Sequence, residues 1–151
     1  MYLIDLADAV VEALNEAPSG QFALEFEAER VLYPEREYSG VTDLKVDVFA
    51  RSVERTRNTR LTLRKDPEIV VIIARKINAI TEPTDPDKLD ALDEMLEFCD
   101  EVADYLALHA PFGDDSIPIL NVEIDPIFDF EVLRTHRVFV SSLRCTFAHM
   151  P

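Results

Sequence analysis

The chain has 151 residues, of which 48% are hydrophobic and 30% are charged, and its net charge is −15. This length and apolar content are typical of one globular domain and exclude a disordered acidic protein. The negative charge disfavours general binding to nucleic acid or to anionic membranes, since both are polyanions. Only three glycines occur, which argues against phosphate-binding Gly-rich loops.

Neither a secretory signal nor a membrane helix is predicted. The first residues lack a basic region followed by a long apolar run, and no segment approaches the roughly 18 apolar residues of a membrane helix. The two cysteines, Cys99 and Cys145, fall at predicted core positions and are interpreted as reduced thiols of a cytosolic protein. The three histidines have no metal-ligand spacing, so no metal or other cofactor is expected.

The first part of the chain predicts a helix followed by a strand. Apolar residues recur every three or four positions from Leu3 to Asn15, which is typical of an amphipathic helix. Between Phe22 and Leu32, apolar and acidic residues alternate. This segment is therefore predicted to be a strand with one buried face and one acidic face.

The middle of the chain predicts a long β-hairpin between about residues 43 and 77. Asp43–Ala50 alternates between apolar and polar residues, while Glu68–Ile77 contains a run of six apolar residues and is expected to be covered on both faces. The segment between these strands contains six of the 15 basic residues and one acid, Glu54. Its basic residues are Arg51, Arg55, Arg57, Arg60, Arg64 and Lys65. A pair of core strands thus ends in a cationic tip.

A second amphipathic helix is predicted from Pro86 to Leu108, with Asp85 as its N-cap. It is expected to pack on the sheet through apolar residues at helical spacing, namely Leu92, Leu96, Cys99 and Ala103. Its opposite face is strongly acidic and includes Asp90, Asp93, Glu94, Glu97, Asp100, Glu101 and Asp104.

Two further strands are predicted, Ile119–Ile124 and Arg137–Ala148, with a turn and a short helical or irregular piece between them. The element order is α-β-β-β-α-β-β, and strands that no helix separates favour antiparallel pairing. We therefore predict an α+β fold in a single domain over residues 1–151. A mainly antiparallel sheet of about five strands has two helices on one face and a long protruding hairpin. The other face is expected to meet solvent or a partner subunit through Glu25, Glu27, Glu29, Lys45 and Asp47.

The sequence does not predict an enzyme. The acidic helix face is uniform, whereas catalytic carboxylates need unequal environments that separate their pKa values. Ser141, Ser142 and His136 are close in sequence, but a Ser–His nucleophile also needs an oxyanion hole, which the sequence does not supply. EF-hand, HExxH, P-loop and GxSxG motifs do not occur.

Two charged surfaces are candidates for binding. The acidic helix face is either a solvated surface or an interaction surface. The cationic segment is either a solvated loop or a docking loop, which would meet acidic surface on a neighbouring subunit or DNA passing close by. The segment contains no aromatic residue, which argues against base stacking.

The order of the segments along the chain is informative as a whole. The helix Leu3–Leu14 and the basic-tipped hairpin come first, the acidic helix Leu89–Leu106 follows, and Asp125–Leu133 and Arg137–Phe147 complete the pattern. In this order the chain resembles the tail terminator and tail-completion proteins of long-tailed bacteriophages over nearly its whole length. The resemblance implies an α+β subunit of a hexameric ring that caps the tail tube and joins it to the head connector. Head-closure and other neck connector proteins are the alternative within the same region.

The resemblance also implies partners and a location. These are further copies of the chain, the tail tube protein and a head–tail connector or stopper protein, in the neck of a virion assembled in the host cytoplasm. DNA would pass through the ring without specific binding, since an acidic surface repels it. The acidic helix and the basic segment are complementary, so head-to-tail contacts could close a ring. An acidic DNA-mimic inhibitor is a rival from another class, and the arginine cluster argues against it.

Overall fold

The computed structural model describes residues 2–32, 41, 43–57, 59–77, 84–110, 117–125 and 127–148. In chain order the elements are α1 (Tyr2–Asn15), β1 (Ala28–Arg30), β2 (Lys45–Arg57), β3 (Leu63–Lys76), α2 (Pro86–His109), β4 (Ile119–Ile124), α3 (Phe130–His136) and β5 (Val138–Phe147). The strands form one sheet in the order β1-β2-β3-β5-β4. β1 is parallel to β2, and the other neighbours are antiparallel. The predicted α+β class and mainly antiparallel sheet are confirmed.

Side-chain caps fix where α2 and α3 begin. The Asp85 carboxylate accepts a hydrogen bond from the Asp87 N–H. The proline at the start of the helix has no N–H, so it leaves no unpaired donor there. The Asp129 carboxylate accepts a hydrogen bond from the Val132 N–H in the same way. α3 ends at Arg137, whose φ of 59° is left-handed and leads directly into β5.

The main hydrophobic core lies between the sheet and the two long helices. α1 packs against β1 and β2, while α2 packs against β4 and β5. Alternate residues of the three central strands form the floor of this core, as a period of two requires. They are Val46, Val48, Ile69, Val71, Ile73, Phe139, Leu143, Cys145 and Phe147. The two predicted helices therefore share one face of the sheet, as expected.

α2 packs on the sheet with a face that is rotated from the predicted one. Its buried residues are Met95, Phe98, Cys99, Val102, Tyr105 and Leu106. Of the predicted contacts only Cys99 is buried, whereas Leu92, Leu96 and Ala103 lie partly buried at the margin of the core. Phe98 meets Phe22 and Phe26 edge-on, with ring centroids 6.2 and 5.3 Å apart. These aromatic contacts from the segment after α1 draw the centre of the helix face towards Phe98.

The predicted strand Phe22–Leu32 is hydrogen-bonded as a strand only over Ala28–Arg30. Before this point side chains bind the backbone: Asn15 bonds both the N–H and the C=O of Ala28, and Glu101 Oε2 accepts the Ala23 N–H at 2.8 Å. Alternate side chains of the segment nevertheless face the core. The alternation therefore predicted burial correctly and strand pairing incorrectly, because an extended segment has the same period whether or not it pairs.

The opposite face of the sheet is partly covered by α3, a third helix where a short helical or irregular piece was expected. Val132 of α3 forms a second apolar cluster with Ala74, Val138 and Val140. Asp47, which was expected to meet solvent or a partner on this face, is instead buried, with the Lys45 ammonium 3.7 Å from its carboxylate. Glu25, Glu27 and Glu29 are exposed.

Candidate interaction site

β2 and β3 extend well beyond the rest of the sheet. β1 pairs with β2 only over residues 46–48, and β5 pairs with β3 only from Glu68 onwards. Residues 51–57 and 63–67 therefore form a two-stranded extension, which together with the turn at residues 59–62 we call the arm; this turn is the arm tip. At about 3.3 Å per residue, the arm projects about 20 Å from the sheet. Most of the segment predicted as a loop is thus paired strand.

A β-bulge separates the arm from the sheet. The register between β2 and β3 shifts between Ala50 and Ser52, so Arg51 is the extra residue. Its guanidinium lies 3.6 Å from the Glu68 carboxylate, and the Ser52 hydroxyl donates to the same carboxylate at 3.1 Å. Because a bulge increases local twist and bends its strand, this one sets the direction of the arm.

The two faces of the arm differ in charge. Arg55 is opposite Lys65, and Arg57 is opposite Leu63. Since alternate residues of a strand share a face, these side chains lie together on a face that contains no acid. We call it the cationic face. The other face, which we call the mixed face, has Arg64 beside the acids Glu54 and Asp66, and the Arg64 Nε lies 2.9 Å from Asp66 Oδ1.

Five of the six predicted basic residues fall into two groups, and the sixth, Lys65, is half-buried on the cationic face opposite Arg55. Arg51 and Arg64 pair with carboxylates at the base and on the mixed face of the arm. Arg55, Arg57 and Arg60 are exposed and have no carboxylate partner in the part of the chain that the structure describes. Arg57 donates to the backbone carbonyl of Arg60 at 3.3 Å. These three arginines are therefore available to a partner.

The seven acids predicted on α2 all lie on its outer side but are not equivalent. Glu94 pairs with Arg75 at 3.5 Å, and Glu101 binds the backbone of the segment after α1. The other five are exposed and have no ion-pair partner among the described residues. Four of these five recur every three or four positions and form one line along the helix, which we call the acidic stripe: Asp93, Glu97, Asp100 and Asp104.

A groove of about 410 Å³ lies where the acidic stripe ends. Ala103, Asp104 and Ala107 of α2 form one wall, and residues 119–122 of β4 form the other. Leu120 is half-exposed in it. This groove was not predicted from the sequence, in which the available signal is two alanines four positions apart on one side of a helix.

The side chains considered for chemistry are distributed through the fold. Ser141 is fully buried and hydrogen-bonded to Cys99, while Ser142 lies on the other face of the sheet. Burial raises the pKa of Cys99 to about 11 against the opposing effect of that hydrogen bond, and burial raises the pKa of Cys145 to about 12.

Within the described ranges, no group of three or more His, Cys, Asp or Glu residues could hold a metal ion. None of the helices described is long and apolar enough to cross a membrane.

The fold has a counterpart among solved structures. No protein-family model matches the sequence, and no curated protein is similar to it in sequence. A chain in the structure described as the virion of a native gene transfer agent particle matches with a TM-score of 0.52 and 11% sequence identity. The match covers 97% of this chain and 96% of that chain. At this identity, the likeness shows a shared fold.

Proposed function

We propose that this chain is a structural subunit of a phage-like virion, and more specifically a tail terminator or tail-completion subunit. In this role a ring of subunits caps the tail tube and joins it to the head connector. The arm is the observation that supports the proposal most directly, because it places three arginines, which have no carboxylate partner among the described residues, at distances of up to about 20 Å from the sheet of a strongly acidic protein. The likeness in fold to a chain of a gene transfer agent virion favours a particle component over an enzyme or a DNA mimic.

The distribution of charge supports the proposed ring. The arm and the acidic stripe belong to different elements and have opposite charge, so one copy can present both surfaces at once. A head-to-tail contact between such surfaces generates a ring when its rotation closes. We propose a hexamer, with the tail tube protein on one side and a connector or stopper protein on the other, in the neck of the virion. The net charge of −15 would prevent DNA from binding as it passes.

The oligomeric state of the purified chain tests this proposal. Native mass spectrometry and negative-stain electron microscopy should show a closed ring, and the ring should bind one end of tail tubes from a phage that lacks its terminator. Binding to the connector of isolated heads, with no binding to tubes, would instead support head closure. A monomer that binds a basic enzyme would contradict the proposal and favour a DNA mimic.

The arm supplies a directed variant for the same test. Reversal of Arg55, Arg57 and Arg60 to Glu should leave the circular dichroism spectrum and the melting temperature close to those of the wild type, because all three side chains are exposed. It should abolish the ring, because several contacts of about 0–1 kcal/mol are lost from every subunit. A matched control reverses three basic residues outside the arm, which should leave the ring intact: Lys76, Lys88 and Arg134. A triple arm variant that still assembled would show that the arm is only a solvated hairpin.

A further inference from the structure

We propose that the groove between α2 and β4 is the docking site for the arm tip of a second copy of this chain. The inference rests on the proposed ring and deepens it by naming the two surfaces that meet. The groove places the apolar side chains of Ala107, Leu120 and Val122 at the end of the acidic stripe, and Asn121 and Asp104 give it polar lining as well. The arm tip joins exposed Leu61 to Arg57 and Arg60, which have no carboxylate partner in the described part of the chain.

The arm tip is ordered by its own hydrogen bonds. The Thr59 N–H donates to the Thr62 carbonyl at 3.2 Å, and the two threonine hydroxyls lie 2.6 Å apart. The Thr59 hydroxyl also accepts the N–H groups of Leu61 and Thr62 at 3.3 and 3.1 Å. This turn holds Leu61 outward, where 93% of its surface is exposed. A tip already ordered in the free subunit loses less conformational freedom when it binds.

The groove complements that tip in shape and charge. Its helix wall has two alanines, whose small side chains leave room for a leucine, and half-exposed Leu120 lies on the strand wall. Leu61 would pack against the two alanines and Leu120. Arg57 and Arg60 beside it would meet Asp104 at the rim and Asp100 one turn before it. An apolar anchor surrounded by opposite charges is the common arrangement of a specific interface.

A second copy is the occupant that the charge distribution favours. Within one chain the tip does not fill the groove, since Leu61 is almost fully exposed. Outside residues 51–65 the chain has 29 acidic residues and nine basic ones, so the arm is the cationic surface that another copy offers. The tip also lies far enough from its own sheet to reach across a subunit boundary.

Site-specific cross-linking tests the contact. Leu61→Cys and Ala107→Cys are made in separate chains, mixed, and oxidised under conditions that give rings. The native thiols are buried and protonated, so they do not compete. We expect a disulfide-linked dimer only in the mixture. Mixing Leu61→Cys with Glu131→Cys, which is exposed on α3, is the matched control and should give no dimer.

Charge exchange gives an independent test. Reversal of Arg57 and Arg60 to Glu, or of Asp100 and Asp104 to Arg, should each abolish the ring, and the two reversals together in one chain should restore it. Asp90→Arg, exposed on the same helix but more than three turns from the groove, should leave the ring intact. Rings of mixed Leu61→Cys and Ala107→Cys chains that show no cross-link, or rings that survive the Asp100 and Asp104 reversal, would overturn the docking site and leave the proposed function standing. A chain that stays monomeric under every condition would overturn both.

Discussion

Arg144 is the centre of an ion-pair network that connects four strands. Its guanidinium lies 2.8 Å from the Asp125 carboxylate and 3.1 Å from that of Glu123, and its Nε lies 4.0 Å from Glu68. Glu68 also binds Arg51 at the bulge. The network therefore ties the base of the arm to the far edge of the sheet, and it should make the arm's direction a fixed property of the subunit.

Replacement of Arg144 with Met should lower the free energy of unfolding by about 1–2 kcal/mol, because three neighbouring carboxylates lose the largely buried cation that they share. An exposed ion pair contributes less, about 0–1 kcal/mol. Urea denaturation measures the change. The control is Arg134→Met, which removes an exposed pair with Glu131 at 3.2 Å on α3. Equal losses in the two variants would show that the network adds nothing beyond ordinary surface pairs.

The two buried thiols predict an alkaline loss of stability. Burial raises the pKa of Cys99 from 9.0 to about 11, and that of Cys145 to about 12. The folded state favours the neutral thiol, so each buried thiol stabilises the folded protein fully when the pH is below the pKa of the unfolded chain. This stabilisation is lost as the pH rises from about 9 towards 11 and 12. The free energy of unfolding should therefore fall more steeply between pH 9 and 11 in the wild type than in a Cys99→Ala, Cys145→Ala variant. Parallel slopes would mean that other groups cause the loss.

At the scale of elements, substitutions on α2 can distinguish the buried face seen in the structure from the face predicted by helical spacing. Phe98→Ala should cost about 3–5 kcal/mol, the range for removing a large aromatic side chain from a packed core. Leu108→Ala on the same helix is the control, because Leu108 is 79% exposed. Urea denaturation of Phe98→Ala, Leu108→Ala and Leu96→Ala ranks the three variants by their loss in free energy of unfolding. A greater loss for Leu96→Ala would restore the face predicted from the sequence.

The limits of α2 were predictable because their chemistry is local. Asp85 and Pro86 are adjacent in sequence, and the cap needs no other part of the chain. The rotation of its buried face was not predictable, because it depends on Phe22 and Phe26, more than 70 residues away. Helical spacing defines a broad apolar stripe and cannot identify its centre.

The arm was predicted as a cationic segment but not as paired strand, for a related reason. Period-two patterns are visible when one face is buried and apolar. Neither face of the arm is a continuous buried apolar face, so only the partner strand reveals its structure. The groove had no equivalent prediction, since its two walls are brought together by the packing of α2 beside an edge strand.

At the scale of the whole molecule, charge has opposite effects on folding and on the proposed assembly. The subunit has a net charge of −15, so its acidic side chains repel one another, and salt screens that repulsion. Salt also screens the attraction proposed between the arm and the acidic stripe. Raising the ionic strength from about 0.1 to about 1 M shortens the Debye length from about 10 to about 3 Å.

The ring should therefore dissociate over this range while the melting temperature of the subunit stays constant or rises. Light scattering after size exclusion and thermal melts in the same buffers measure the two responses. A ring that survives at about 1 M salt would indicate that apolar contacts dominate the interface, since the Debye length there is only about 3 Å.

The arm has a further consequence that concerns solubility. Beyond the bulge, β2 has no strand on its outer side, and β3 has none before Glu68, within the ranges that the structure describes. Bare strand edges are templates for aggregation, which natural proteins oppose with charge. Because every copy bears the same positive side chains there, two arms repel each other before their backbones can pair. The arginines should therefore keep free subunits from growing into fibres through their arms, and in the proposed ring the arm would contact only a surface of opposite charge.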